Sequence, residues 1–220
     1  MREIEFYGQK IMLHHRGLLI WPDEKLAVVS DLHLGKGSHF AMNGQFLPPH
    51  DSVETLLNLK LALKSLDIER LVFLGDSFHD SQGSERLGDK EHKLIKYFTD
   101  HYQLIWIIGN HDMRISLADV TMKDDLKIRN ITFRHEHEKG SKGEVSGHFH
   151  PKAAMRLYGK KVSRPCFLHN DHRIILPSFR AFTGGMFHTD KVFENIMGED
   201  YCIGLVGQRR LYYFSSANLN

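Results

Sequence analysis

Residues 26–33 read LAVVSDLH, an apolar run that stops at an aspartate and a histidine. Two later stretches repeat the pattern, RLVFLGDSFH at 70–79 and QLIWIIGNHD at 103–112. Uniformly apolar runs of this length are typical of strands that are buried on both faces of a parallel sheet. The three stretches therefore predict the central strands of an α/β fold, with polar side chains directly after each strand.

The segments around these strands complete the predicted fold. Apolar residues recur at helical spacing over 51–66, and a polar helix is predicted from about 84 to 100. Short β-type runs separated by turns come before residue 26 and after residue 125. Because the sequence has no low-complexity linker or internal repeat, we expect one domain over residues 1–220, with a parallel-centred front half and an antiparallel back half.

Composition excludes several classes of protein. Of the 220 residues, 41% are hydrophobic and 25% are charged, as in ordinary globular proteins. The formal net charge of +2 neither requires nor excludes a polyanionic partner. Charges interrupt the first ten positions and no apolar run reaches about 20 residues, so we expect neither an export signal nor membrane insertion. Two cysteines cannot supply a disulfide framework, which favours a cytoplasmic location.

Histidine is the unusual component, with 16 of 220 residues, and it is the commonest metal ligand in proteins. Many of these histidines fall in polar clusters that follow strand-like runs. The clusters are Asp31 with His33, Asp76 with His79, Asn110 with His111 and Asp112, His135 with His137, and His148 with His150. Ligands bind beyond the carboxyl ends of strands in α/β sheets, so the clusters are expected to converge on one rim. In extended backbone the D-x-H and H-x-H pairs would each face the same way and contact one ion.

Carboxylate, imidazole and amide side chains together suit Mn²⁺, Fe or Zn²⁺ better than Ca²⁺ or Mg²⁺, and Mn²⁺ is the first choice among the three. Seven candidate metal ligands are too many for one tetrahedral ion and suit two ions that share a carboxylate: Asp31, His33, Asp76, Asn110, His135, His148 and His150. Two ions roughly 3.5 to 4 Å apart can activate water and hold phosphoryl oxygens. His135 is favoured as the lone ligand after its strand. His137 remains an alternative, because it lies two residues further on and would face the same side of an extended strand.

Five motifs carry a family resemblance: D-L-H at 31–33, G-D-S-F-H at 75–79, G-N-H-D at 109–112, His135, and G-H-F-H at 147–150. In this order they resemble the calcineurin-like metallophosphoesterase superfamily. More narrowly, L-H-L-G-K-G at 32–37, G-H-F-H-P at 147–151 and L-P-S-F-R-A-F-T-G-G at 176–185 are similar to the bacterial ligase-associated DNA damage response endonucleases. The resemblance implies a four-layer α/β/β/α sandwich of two mixed β-sheets flanked by helices.

The resemblance also implies a role for each site residue. The ions would be held by two sets of ligands with Asp76 between them: Asp31, His33 and His150 for the first, and Asn110, His135 and His148 for the second. His111 would be catalytic, either donating a proton to the leaving oxygen or stabilising its charge, and His79 would orient His111.

The function implied by the resemblance is phosphodiester hydrolysis by a DNA endonuclease linked to DNA repair. Single-stranded DNA is the expected substrate, and a functional association with DNA ligase and helicase is implied. The alternatives are a phosphomonoesterase or nucleotide phosphodiesterase of the same superfamily, or a non-catalytic interaction module with this fold. Lys36 and Arg180 lie near the metal motifs in sequence and could contact a phosphate, although each is equally readable as a solvated charge.

Overall fold

The computed structural model describes residues 1–36, 51–80, 82–112, 120–157, 160–179 and 184–218. Its first sheet has seven strands that neighbour one another in chain order. They are β1 (Arg2–Phe6), β2 (Gln9–Leu13), β3 (Leu19–Trp21), β4 (Leu26–Val29), β5 (Arg70–Leu74), β6 (Gln103–Ile107) and β7 (Thr121–Lys123). Strands β1 to β4 are antiparallel, whereas β4 to β7 are parallel. The three quoted stretches form β4, β5 and β6 at the parallel centre, as predicted.

The second sheet is also mixed and has the order β15-β14-β12-β13-β10-β9-β8, with β11 paired to β12 outside this path. Its strands are β8 (Asp125–Ile128), β9 (Ile131–Arg134), β10 (Glu144–Ser146), β11 (Lys152–Leu157), β12 (Lys160–His169), β13 (Arg173–Ile175), β14 (Cys202–Val206) and β15 (Leu211–Ser215). Strand β10 is parallel to β9 and β13, and the other pairs are antiparallel.

Helices cover the outer faces of the two sheets. In the described part of the chain they are α1 (Asp51–Leu63), α2 (Asp89–His101) and α3 (Lys191–Met197). Leu59 of α1 and Phe98 of α2 are buried with Phe73 of β5, so both helices pack on the first sheet. Phe193 of α3 is buried with Leu168 of β12, which places α3 on the second sheet. The resulting layers are α/β/β/α, as the sequence predicts. Among the described residues, no helix is both long and apolar enough to cross a membrane.

The apolar runs are continuous because the central strands are buried on both sides. Val28 and Val72 face the core between the sheets, where they pack with Phe133 of the second sheet. Ala27 and Phe73, their neighbours in sequence, face the helices instead. Neither face of these strands needs polar side chains, so hydrophilic residues are displaced to the strand ends.

Some predicted boundaries are wrong. The helix predicted from about residue 84 begins at Asp89, because Gly83–Arg86 forms a separate 3₁₀ turn. The helix predicted over 51–66 ends at Leu63. Strands β7, β8 and β11 and helix α3 are additional elements that the sequence patterns did not predict.

Candidate metal centre

The predicted polar clusters lie at the carboxyl ends of strands from both sheets. Asp31 follows β4, Asp76 follows β5, Asn110 follows β6, His135 follows β9, and His148 follows β10. A parallel bridge joins Ser30 to Ser178, so the sheets are connected directly beside Asp31. The strand ends therefore meet at one rim of the sandwich.

The first cluster consists of Asp31, His33 and His150, with one potential ligand atom from each residue within 4.8 Å of the others. His150 Nε2 lies 3.1 Å from His33 Nε2 and 3.2 Å from Asp31 Oδ1. Nitrogen and oxygen ligands bound at about 2.0 to 2.2 Å from one ion have a spacing of about 3.0 to 3.5 Å from each other. The spacing of the three side chains therefore fits a single metal ion.

Asp31 provides a second indication that the cluster fits a cation. Its Oδ2 accepts hydrogen bonds from Ser30 Oγ at 2.6 Å and from the His148 amide at 3.1 Å. Its Oδ1 is buried and lies 3.2 Å from His150 Nε2, but no described residue donates a hydrogen bond of normal geometry to it. A buried carboxylate oxygen without a donor is costly, and a bound cation would remove that cost.

The second cluster consists of Asp76, His135 and His148, whose potential ligand atoms also lie within 4.8 Å of one another. His135 Nε2 is 3.1 Å from His148 Nδ1 and 3.4 Å from Asp76 Oδ2. Asn110 Oδ1 lies 3.0 Å from the same nitrogen. All seven sequence-predicted ligands are thus brought into or beside one of the two clusters.

The structure separates His135 from His137. His137 Nδ1 is 2.6 Å from Glu144 Oε1, and its Nε2 lies 3.1 Å from an Arg173 guanidinium nitrogen. The sequence argument that both histidines share one face is wrong, because β9 ends at Arg134 and the alternation of an extended strand stops there. Only His135 of this pair reaches the metal clusters.

The backbone at the site also differs from the predicted extended form. Five candidate ligands have positive φ angles: Asp31 at 55°, His33 at 45°, Asp76 at 44°, His148 at 67° and His150 at 46°. This left-handed region is uncommon for residues other than glycine and is often found at functional sites. As a result, the H-x-H pair does not face one ion, since His148 belongs to the second cluster and His150 to the first.

Electrostatic interactions keep the carboxylates charged at this site. Burial opposes a charge on His135, but its hydrogen bond to Asp76 and the negative charges of Asp31 and Asp76 raise its pKa to about 9. Burial also disfavours the ionised form of Asp76. The interactions with His135 and His111 outweigh this effect and lower the pKa of the Asp76 carboxyl to about 2. Burial lowers the pKa of His33 to about 3. Ionised carboxylates and a neutral His33 are the forms that bind metal ions.

His111 and His79 lie beside the clusters rather than within them. The His111 amide donates to Asp76 Oδ1 at 3.0 Å, and its Nε2 lies 3.8 Å from Asp76 Oδ2. The His111 side chain is 42% exposed, so a ligand in solution can reach it. The His79 ring stacks against that of His111 with 6.3 Å between the ring centroids.

Asp112 and Ser30 support the site without joining the clusters. Buried Asp112 accepts hydrogen bonds from the amides of Ser77, Phe78 and Gly109, so one carboxyl fixes the loops after β5 and β6. Sequence reasoning missed the Ser30 contact with Asp31, because nothing in an apolar strand marks one serine as special. Lys36 is half-buried after the first motif, and Arg180 lies outside the described residues.

Comparisons with known proteins found a matching family model and similar solved structures. The family model described as calcineurin-like phosphoesterase matches residues 24–190. The crystal structure of the Pseudomonas putida nuclease MPE is similar to this chain with a TM-score of 0.73 and 24% sequence identity, covering 97% of this chain and 99% of that chain. Yfce, a phosphoesterase from E. coli, gives a TM-score of 0.41 and 16% identity, covering 89% and 99% of the two chains. The sequence has no match among curated proteins.

Proposed function

Because the chain belongs to the calcineurin-like phosphoesterase family and is thus a metal-dependent phosphoesterase, we propose that it hydrolyses phosphodiester bonds in single-stranded DNA. The observation that carries the proposal is the pair of adjacent ligand clusters at one rim. The first contains the buried Asp31 Oδ1, to which no described residue donates a hydrogen bond of normal geometry. The family motifs and the fold shared with a nuclease support a nucleic-acid substrate.

We assign seven residues as ligands of two divalent ions. The mixed oxygen and nitrogen donors suit Mn²⁺, Fe or Zn²⁺, and Mn²⁺ is our first choice. The first set would be Asp31, His33 and His150, the second set would be Asn110, His135 and His148, and Asp76 would be shared by both ions. Two ions held this way supply Lewis acidity and water activated at neutral pH. The chain's own contribution is to fix these side chains through the loop contacts of Asp112 and Ser30.

His111 is the proposed catalytic proton donor. Its partly exposed ring lies beside Asp76, so a phosphoryl group at the metal centre would be within its reach. Protonated His111 would give its proton to the leaving oxygen, and a positioned general acid of this kind contributes typically 10²- to 10⁴-fold. His79 would orient the His111 ring through their stacked contact.

The biological setting follows the family resemblance. We place the enzyme in the cytoplasm, as one domain over residues 1–220, acting in DNA repair in functional association with DNA ligase and helicase.

Competition between substrates tests the proposal. Purified protein with Mn²⁺ would be given bis-p-nitrophenyl phosphate, p-nitrophenyl phosphate and labelled single-stranded DNA, RNA and nucleotides. We expect the diester to be cleaved faster than the monoester, single-stranded DNA to compete best, and EDTA to abolish all activity. Preference for the monoester or for a nucleotide would replace the proposal with one of those activities, and no hydrolysis at all would favour a non-catalytic module.

A further inference from the structure

A groove lined by arginine side chains lies on the same rim as the metal centre. It consists of two neighbouring cavities of about 630 and 450 Å³. The cavities share Arg164, Val206, Gly207 and Gln208 in their walls, so they form one continuous depression. Arg16 lines the first cavity, and Arg209 and Arg210 line the second. We call this depression the arginine groove.

Strand directions place the arginine groove at the metal-binding rim. Strand β3 is antiparallel to β4, so the β2–β3 turn that contains Arg16 lies at the end of β4 where Asp31 follows. Strand β12 is antiparallel to β13, and β14 is antiparallel to β12, so the turn after β14 that contains Arg209 lies at this same rim. Ser178 connects the two sites directly, because it lines the groove and its Oγ donates to the Asp31 carbonyl at 2.8 Å.

The described side chains that line the groove carry an excess of positive charge. Arg16, Arg164, Arg209 and Arg210 are exposed, and none has a carboxylate within 4.0 Å among the residues that the structure describes. Asp51 and Glu54 of α1 line part of the first cavity, which leaves four guanidinium groups against two carboxylates. A concave surface with excess positive charge attracts polyanions and favours phosphate contacts.

The groove also offers apolar and aromatic surface between these charges. Phe179 and Val206 line the first cavity, and Tyr212 lines the second. The Arg210 guanidinium lies 4.7 Å from the centre of the Tyr212 ring. Unpaired bases stack on aromatic rings and guanidinium planes, whereas the bases of a duplex have their faces covered by neighbouring base pairs.

We propose that the arginine groove holds a single nucleic-acid strand that leads into the metal centre, with its phosphates bound by Arg16, Arg164, Arg209 and Arg210. The inference rests on the proposed function, since it describes how the substrate of that same centre is bound. It also explains how a protein of nearly neutral net charge can hold a polyanion, because the positive charge is concentrated on one part of the surface.

The test compares two triple variants of the Mn²⁺-loaded protein. The groove variant carries Arg164→Gln, Arg209→Gln and Arg210→Gln. The matched control carries Lys93→Gln, Lys127→Gln and Lys142→Gln, three exposed lysines that line neither cavity. Binding is measured by the anisotropy of a labelled phosphorothioate oligothymidylate, and catalysis is measured with both single-stranded DNA and bis-p-nitrophenyl phosphate.

We expect the groove variant to bind the oligonucleotide at least tenfold more weakly and to raise KM for DNA with little change in kcat. Hydrolysis of bis-p-nitrophenyl phosphate should stay unchanged, because this small diester does not need the groove. The salt dependence of binding should decrease by about 0.7 in the log–log slope for each phosphate contact that is lost. The control should match the wild type in all three measurements.

Three results would overturn the groove assignment: unchanged oligonucleotide binding in the groove variant, an equal loss in the lysine control, or an equal loss of DNA and small-diester hydrolysis. Polyglutamate that competes as well as the oligonucleotide would show a general site for acidic polymers instead. Failure of the proposed function is distinguishable, because a wild type without hydrolytic activity but with groove-dependent DNA binding would retain the groove and lose the nuclease assignment.

Discussion

Gly147 is tightly packed against side chains of the candidate metal centre. A Cβ atom at this position would lie 1.8 Å from Ser30 Oγ and 2.7 Å from Asp31 Oδ2. The Gly147→Ala variant must therefore displace the carboxylate of Asp31, and overpacking of this kind costs typically about 1 to 3 kcal/mol. We expect weaker Mn²⁺ binding by calorimetry and a lower melting temperature. Gly184→Ala is the control, because a Cβ at Gly184 has no atom of the described residues within 4 Å. Equal losses of Mn²⁺ affinity and melting temperature in this control would contradict the explanation.

Alanine variants of His111 and Asp76 should distinguish a loss of catalysis from a loss of metal binding. In the His111→Ala variant we expect turnover of bis-p-nitrophenyl phosphate to fall by about 10²- to 10⁴-fold with Mn²⁺ binding largely intact, because only a proton donor is removed. In Asp76→Ala we expect loss of activity together with weakened binding of both ions. Calorimetric titration with Mn²⁺ distinguishes the two, and loss of metal binding in His111→Ala would refute the role given to His111.

At the scale of the element, α1 provides an internal comparison between a buried and an exposed leucine. Leu59 is fully buried against the first sheet, whereas Leu61 on the same helix is 58% exposed. Leu59→Ala should lower the free energy of unfolding by about 2 to 5 kcal/mol, because it leaves a cavity between helix and sheet. Leu61→Ala should change it by less than about 0.5 kcal/mol. Urea unfolding measures both, and similar losses in the two variants would show that the burial of Leu59 is not what stabilises the helix.

The central strands could be predicted from sequence because burial on both faces leaves a pattern that needs no tertiary information. The sites at their ends were harder to predict. Ordered motifs located Asp31 and His150, but the assumption of extended backbone failed because both residues have positive φ. His169 is buried with its Nε2 against the Tyr213 hydroxyl, a contact between β12 and β15 that no local pattern encodes.

The arginine groove could not be predicted from the sequence, because it also depends on contacts between distant segments of the chain. Arg16 and Arg164 are 148 residues apart in the sequence and become neighbours only when the two sheets pack together. The pair Arg209 and Arg210 alone is too short to indicate a nucleic-acid surface. Charge on one surface is therefore a property of the folded chain, which explains why composition and local charge runs gave no indication of it.

At the scale of the whole molecule, buried neutral histidines should make the fold sensitive to acid. Burial lowers the pKa of both His14 and His169 to about 4, below the ordinary value of 6.5. As the pH falls below 6.5, these histidines become protonated in the unfolded chain but stay neutral in the folded chain. Their contribution to the free energy of unfolding is therefore present above pH 6.5 and is lost toward pH 4. We expect each histidine to lower the free energy of unfolding by on the order of 1 to 2 kcal/mol between pH 7 and pH 5.

Urea unfolding of His169→Asn at pH 7 and pH 5 tests this expectation. The variant is expected to lose less stability than the wild type over this interval, whatever its stability at pH 7. His172→Asn serves as the control, because His172 is exposed at the neighbouring turn. His172→Asn should lose as much free energy of unfolding between pH 7 and pH 5 as the wild type. A smaller loss in this control would show that surface charge, not burial, causes the pH dependence.

The candidate ligands come from residues 31 to 150 and from the ends of strands in both sheets. No single hairpin or βαβ unit contains a complete set, so high-affinity metal binding can develop only after the two sheets have docked. Metal uptake should therefore follow the slowest, least local step of folding and report on assembly of the entire sandwich. Ions that bind only this assembled state would link the two sheets. They would raise the free energy of unfolding by about 2.7 kcal/mol at a free ion concentration of 100 times Kd.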